Sequence, residues 1–300
     1  MTLKIKTYYI CFLFISIFVI LFSACEDNIE DDIFRKNSKI WVDAVICADD
    51  TVKLFFGTTS GMNSGDIAEY NTNAKIDLFV NDSEIPLPLK FKKINDPLKK
   101  GFYYYPRLTN VKIGDSLRFQ ANIENSDFLP VQGKTVFPSP VRISDCKSII
   151  SLNQYNKKRK IDLEIQLDTN QLNKSSGFLE LKLFNYIYLS KDSLLEIPDK
   201  IESINSLNNI GLDEGLVWNE KFQSVFIDSN SFNNSRLNIS FWIDDNFNKN
   251  NIKLELRTIF QDYYLYCRAI DTGIIGSSNI INGSGIFTGY SRDIKIIKIK

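Results

Sequence analysis

Apolar and polar residues alternate with a period of two along most of this chain, and that pattern leaves few folds open. Ile40, Val42, Ala44 and Ile46 alternate with Trp41, Asp43 and Val45. Ile76, Leu78 and Val80 alternate with Asp77, Phe79 and Asn81, and Leu117, Phe119, Ala121 and Ile123 with Arg118, Gln120, Asn122 and Glu124. The cleanest run sets Ile161, Leu163, Ile165 and Leu167 against Asp162, Glu164 and Gln166. Successive side chains of a strand face opposite sides, so each run buries one face and wets the other, as half-buried antiparallel strands do. Breaks at Asn81-Asp82, Lys100-Gly101 and Ile113-Gly114-Asp115 fall at turn-like spacings. The expectation is an all-β chain built as sandwiches.

Three hundred residues are enough for one large or two medium domains. A hydrophobic share of 44% with 24% charged residues supplies a sizeable core and excludes wholesale disorder. Pro138 and Pro140 lie two residues apart and cannot sit in a central strand, so Gly133 to Pro140 reads as an extended connector. The boundary placed there separates an immunoglobulin-like sandwich over residues 38–138 from a second β-rich domain over residues 139–300. Asp199 to Glu220 reads as a long loop. One short helix is predicted over Asp262 to Ile270, with Asp262 as its N-cap.

The N-terminus speaks to location. Lys4 and Lys6 precede an uncharged stretch from Thr7 to Ala24, the pattern of a secretory signal. Leu21-Phe22-Ser23-Ala24-Cys25 resembles the lipobox of bacterial lipoproteins, with Phe22 where Leu, Val or Ala is commoner. Residues 1–24 are therefore expected to be a lipoprotein signal peptide, and Cys25 to carry the lipid, because the thiol takes the diacylglycerol and two or three acyl chains anchor stably. The alternative is an uncleaved signal anchor, for which the apolar run is just long enough. Against it, Glu26, Asp27, Glu30, Asp31 and Asp32 follow directly. Behind a lipidated cysteine this acidic run resembles the surface-export signal of Bacteroidota lipoproteins, so residues 25–37 read as a hydrated tether.

Charge and composition remove several chemistries. Thirty-six basic and 36 acidic residues cancel, which gives no nucleic-acid footprint. Loss of the segment up to Cys25 removes two lysines and no acid, leaving 34 against 36, or −2. No histidine is present, so Ser-His-Asp and Cys-His catalysis and imidazole metal sites are excluded. Without Cys11 and Cys25, the thiols Cys47, Cys146 and Cys267 remain, an odd number that admits at most one bridge; buried free thiols are expected.

Several local patterns invite a site and are better explained without one. Gly283, Gly285 and Gly289 lack the lysine of a phosphate loop and read as a turn packing Phe287 and Tyr290 onto the sandwich. Asp244, Asn246, Asn248 and Glu255 match calcium-loop positions, but Lys249 stands where glycine is needed; the segment reads as a polar hairpin with Glu255 on a polar face. Asp213, Glu214 and Glu220, with Trp218 as a sugar platform, would be the carboxylates of a glycoside hydrolase, yet adjacent Asp and Glu point apart. Phe102-Tyr103-Tyr104-Tyr105 in a strand must expose some rings, a docking patch unless the second domain covers it. No catalytic, cofactor or metal residues are assigned.

The order of features resembles a Bacteroidota lipoprotein family called domain of unknown function 4249. The marks are Trp41 to Ile46 right after the tether, Ile113-Gly114-Asp115-Ser116-Leu117, and Gly133-Lys134-Thr135 through Pro138. Farther on come Val225-Phe226-Ile227-Asp228 with Phe232-Asn233-Asn234, where Ile227 and Asn234 replace Ser and Gly, and Asp262-Tyr263-Tyr264-Leu265-Tyr266 followed by Asn282 to Ser291. The resemblance implies an outer-membrane or surface lipoprotein, often found beside TonB-dependent transporters, with no known activity. The expected role is a non-enzymatic binding or docking accessory to such a transporter barrel, with an unidentified small-molecule or glycan ligand. The alternative is a structural or adhesive surface protein, and the third reading is a carbohydrate-active hydrolase. Asp50-Thr51-Val52, Asp115-Ser116-Leu117 and Asp192-Ser193-Leu194 also resemble the O-glycosylation motif of Bacteroidota secretory proteins, which makes Thr51, Ser116 and Ser193 candidate modified hydroxyls.

Overall fold

The computed structural model describes residues 38–59, 67–70, 72–81, 83–95, 101–108, 111–153, 158–168, 170, 177–190, 193–197, 216–219, 224–228, 235–244, 251–272 and 278–298. The chain is all-β with sandwich-like packing, as the alternation predicts. Its first strands are β1 (Ile40–Cys47), β2 (Val52–Thr59), β3 (Ile67–Tyr70), β4 (Ala74–Val80), β5 (Leu87–Pro88), β6 (Lys90–Lys93), β7 (Gly101–Tyr105), β8 (Ser116–Ile123) and β9 (Val131–Val136). Strands β5-β4-β8-β9 form one sheet, and β1-β2-β7-β6, with β3 on β2, lie in another. Val42, Leu54, Phe56, Ile76, Leu117 and Phe119 fill the core shared by the two sheets.

The second half adds β10 (Ile143–Asn153), β11 (Lys158–Leu167), β12 (Phe178–Ser190), β13 (Ser193–Ile197), β14 (Leu216–Asn219), β15 (Ser224–Asp228), β16 (Arg236–Asp244), β17 (Asn251–Ile259), helix α1 (Gln261–Thr272) and β18 (Gly283–Lys298). Strands β10-β11-β16 form a three-stranded sheet. Its apolar face, with Ile161, Leu163, Ile165 and Ile239, meets Leu181, Leu183, Leu254 and Leu256 to make a second core.

One strand ties the halves together. The first eight residues of β18 run parallel to β1, from Ile40 opposite Gly283 to Cys47 opposite Tyr290. The rest pairs antiparallel with β17, from Thr258 opposite Ser291 to Asn251 opposite Lys298. The large sheet is thereby continuous, in the order β14-β15-β12-β17-β18-β1-β2-β7-β6. Phe287 and Ile280 close the core of the first half, and Ile297 belongs to that of the second.

The described strand pairs are antiparallel as expected except for this parallel one, and the glycines of β18 make room for it. Gly283, Gly285 and Gly289 lie in an extended strand, not in the turn read from the sequence. A Cβ on Gly285, whose φ is +105°, would stand 1.9 Å from the Val42 carbonyl oxygen; one on Gly283 would stand 2.9 Å from that of Ile40. On the other side a Gly289 Cβ would meet the Val136 oxygen at 2.6 Å. Only bare backbone fits between β1 and β9 there. The Gly289 N–H donates to Thr135 Oγ1 at 2.8 Å, and Asn279 makes two bonds to the Phe287 backbone.

Two boundaries shift. Leu216–Asn219 of the expected loop is strand β14, paired with β15. The helix starts at Gln261, so Asp262 lies in its first turn, where its carboxylate complements the helix dipole, and is not the N-cap. The Tyr264 N–H already donates to the Phe260 carbonyl, so the cap falls at Phe260.

Gly285→Ala should destabilise the protein by about 3 kcal/mol or more, since it adds a backbone clash to a strained φ. Gly114→Ala, at φ +87° in open space, should cost only about 1 kcal/mol. Urea unfolding of the two variants tests this, and equal losses would contradict the close-approach argument.

Candidate functional site

Strands β12, β17 and β18 turn charged side chains to the face opposite the apolar core. In register, Glu180 lies opposite Arg257 and Lys182 opposite Glu255, while Arg257 lies opposite Arg292. Glu180 is 0% and Glu255 2% exposed. Buried carboxylates need partners. Glu255 takes Arg257 Nε at 2.7 Å, Lys253 Nζ at 3.5 Å and Arg292 Nη1 at 3.9 Å. Glu180 Oε2 takes Arg257 Nη1 at 3.2 Å. Lys182 Nζ stands 3.3 Å from its Oε1, inside ion-pair range though outside hydrogen-bond geometry. Arg292 then reaches the β1–β2 turn, meeting Asp49 at 3.2 Å and Asp50 at 3.7 Å. Burial works against the charge on Arg257, but Glu180, Tyr290 and Glu255 outweigh it and hold the guanidinium above its ordinary pKa. The Tyr290 ring lies 4.5 Å below that guanidinium. Glu255 lies on the polar face of its strand, as the sequence predicts, but that face is buried here, so its charge is balanced by neighbours rather than by water.

Helix α1 covers the neighbouring part of the same face. Tyr263, Tyr264, Tyr266 and Cys267 pack on Phe178, Phe226, Ile259, Ile286, Tyr290 and Cys47. Cys47, Cys146 and Cys267 are free thiols, and Cys146 is only half-buried. Burial, and then donation to Asp49 Oδ1 at 2.6 Å, push Cys47 up from 9.0 to about 12. Burial and the Asp145 charge push Cys146 to about 11, and burial raises Cys267 as well. None is an activated nucleophile, since the thiolate is the reactive form.

The open recognition chemistry lies on the outer face of β2, β7 and β6. Tyr103 is buried and Tyr105 packs beside it against the core, while Phe102 and Tyr104, on the outer side, are half-buried. Phe55 stands edge-on to Phe102 at 5.8 Å and to Tyr70 at 6.5 Å, and Phe102 to Tyr104 at 6.4 Å. Lys53 Nζ sits 5.8 Å from the Phe102 ring centre. Lys90 and Lys92 lie in register with Tyr104 and Phe102. This face is flat. An open hollow of about 490 Å³ lies elsewhere, lined by Asn73, Ala74, Lys75, Glu124 and Asn125.

Residues 1–37, with Cys25 and the acidic run, lie outside the described residues, as do Asp213, Glu214, Glu220, Asn246, Asn248 and Lys249 and the side chains of Ser193, Trp218 and Asp244. Thr51 is exposed, and its N–H bonds the Asp50 carboxylate. Ser116 is half-buried beside Asp115, whose carboxylate caps the turn through the Lys112 N–H and Asn81 Nδ2. Those bonds hold the Asp115 carboxyl below its ordinary range. Among the described residues no group of three or more Cys, Asp and Glu is placed to hold a metal ion, and no helix is long and apolar enough to cross a membrane.

The charge array escaped the sequence reading because Leu-Glu-Leu-Lys-Leu (179–183) and Lys-Leu-Glu-Leu-Arg (253–257) look like ordinary half-wet strands. Their complementary charge order was the available signal.

Arg257→Leu should cost about 3 kcal/mol, because it removes the closest cation from two buried carboxylates and leaves them only the longer pairs with Lys182, Lys253 and Arg292. Adding Glu180→Leu should recover part of that loss, and a double-mutant cycle in urea measures the coupling. Alkaline pH should also destabilise the fold. The raised folded-state values of Cys47 and Cys146 contribute stability that is complete below about 9 and lost as pH rises through about 11 to 12. Buried Tyr266 and Tyr290 are shifted in the same direction, chiefly by desolvation. The Tm should therefore fall between pH 8 and pH 11, and less steeply in Cys47→Ala; a flat profile would refute this.

No curated protein matches the chain. Among solved structures, a marsupial T cell receptor is 9% identical, covering 73% of this chain and 92% of its own, with a TM-score of 0.21. A Parabacteroides merdae β-glucuronidase is 11% identical over 74% of this chain and 24% of its own, with a TM-score of 0.23. The Yersinia pseudotuberculosis adhesin InvE is 11% identical over 89% and 61%, with a TM-score of 0.22. Likenesses this weak bear on neither the fold nor the role. The family profile is of another order: it matches residues 26–296, from just behind Cys25 into the last strand, and the chain belongs to the family described as Domain of unknown function (DUF4249).

Proposed function

We propose that this protein is a non-enzymatic binding or docking module, held by lipid at Cys25 on the outer membrane, displayed at the cell surface and working beside a TonB-dependent transporter in nutrient uptake. The observation that carries the reading is the outer face of β2, β7 and β6, where half-exposed aromatic rings and lysines collect on an open sheet surface. Such a surface suits docking, because amphipathic rings bury large areas at low entropic cost. The anchoring half of the reading draws on the apolar stretch that ends in Leu21-Phe22-Ser23-Ala24-Cys25 and on the five acids behind it.

Purification from native-host membranes in mild detergent tests both halves. The wild-type chain should incorporate a fatty-acid analogue and bring down a large β-barrel protein, whereas Cys25→Ala should take up no label and leave the mature membrane fraction. Label in the mutant equal to wild type would sink the anchor assignment. An acylated chain that purifies without a barrel would favour the structural or adhesive role.

A further inference from the structure

The aromatic face has a composition and a position that together narrow its partner. Phe55, Tyr70, Phe102 and Tyr104 form a connected row of rings, with neighbouring centroids 5.8 to 6.5 Å apart. Trp41 joins the same side of the sheet through its pairing with Gly57, which also pairs with Tyr70. Three cations accompany the rings. Lys53, Lys90 and Lys92 have no carboxylate partner among the described residues. Among β1, β2, β6 and β7, Asp43 is the one described carboxylate in register on this side, opposite Phe55 and toward the helix, where it acts on Tyr266; the carboxylates of β12 and β17 on the same side are held in the charge array. The face is therefore aromatic and cationic, and its partner must offer negative charge together with an apolar layer.

Position supplies the second constraint. Trp41 lies three residues past Ser38, where the described chain begins. The segment from Cys25 to Ser38 can span at most about 45 Å. Whatever surface holds Cys25 is thus within reach of this face, at an effective concentration in the millimolar range. Weak contacts suffice under that condition.

We propose that the outer face of β2, β7 and β6 seats the protein on an anionic lipid surface, the one that carries its own anchor. This rests on the anchored reading above and names the partner of the face. Tyr and Trp rings sit at headgroup depth, and lysine stems reach past them to carry their ammonium groups to phosphates. A connected row of rings bordered by lysines without a described carboxylate partner fits a planar, charged interface. Each ammonium near an anionic bilayer raises partitioning roughly fivefold, so three contribute on the order of a hundredfold.

The test uses the full mature chain, residues 25–300, with Cys25→Ser so that no acyl chain contributes. The described buried hydrophobic residues lie between Ile40 and Ile297, so that core is retained. Sedimentation with vesicles of phosphatidylcholine carrying about 30% phosphatidylglycerol should show binding that weakens with salt and is much lower on phosphatidylcholine alone. Lys53→Gln with Lys90→Gln and Lys92→Gln should reduce partitioning on the order of a hundredfold, with Tm unchanged. Phe102→Ser, which keeps every lysine, should weaken binding on both vesicle types. Equal binding by wild type and the triple variant, or no wild-type binding to anionic vesicles, would overturn the proposal. So would binding of a soluble uronic-acid polysaccharide that protects residues 101–105 from hydrogen exchange where vesicles do not, which would assign the face to a glycan. The two failures remain separate. Native-host protein with no acyl mass on Cys25 overturns the anchored reading and this inference with it, while an acylated chain whose face ignores vesicles overturns only the seating.

Discussion

The structure depends on two backbones lying closer than side chains allow. At Gly285 no Cβ fits, because the Val42 carbonyl occupies its place. That approach lets β18 run along β1 for eight residues and still continue onto β17. Four separate groups of residues then meet on one strand. Phe287 closes the first core, Tyr290 receives the helix, Arg292 enters the charge array and Ile297 joins the second core. A strand held off β1 by even a methyl group would misplace all four. The first and last described strands are paired, so this contact joins residues about 240 positions apart.

The charge array is the second constraint, and it acts on register. Glu180 opposite Arg257 and Lys182 opposite Glu255 set unlike charges side by side. A slip of two residues would keep every leucine in the core, because the period of a strand is two. It would, however, oppose Glu180 with Glu255 and Lys182 with Lys253, which is costly where the groups are buried. The apolar pattern therefore selects the face and the charges select the alignment. Arg292 extends the same network to Asp49 and Asp50 at the β1–β2 turn, so the two halves are joined by charge as well as by backbone.

Much of this was legible in advance. The alternation of Ile161 to Leu167 and of Leu117 to Ile123 placed strands and their buried faces, since burial follows the period of the pleat. The helix near Tyr263 was legible too, although its cap was misplaced by two residues because an Asp resembles a cap wherever it falls. The rings of Phe102 and Tyr104 had to face away from Tyr103, and they do. What misled was glycine. Gly283, Gly285 and Gly289 signal a turn when only local conformation is weighed, yet here they mark close approach by strands distant in sequence. Glu255 misled for a related reason, because its burial comes from neighbours on β12 and β18 and not from its own strand.

By itself the sequence determined the elements that depend on nearest neighbours along the chain: strand faces, the short helix, the absence of imidazole chemistry, and the run from Lys4 to Asp32 that bears on location. Tertiary structure decided whatever depends on residues far apart meeting. It set the parallel pairing of β1 with β18, gathered Glu180, Arg257 and Arg292 into one array, and brought Phe55, Tyr70 and Phe102 onto one face. Alternation tells each strand which side to bury, but it is the same for parallel and antiparallel partners. The pairing itself brings Val42 against Gly285, some 240 residues apart, which no local pattern encodes.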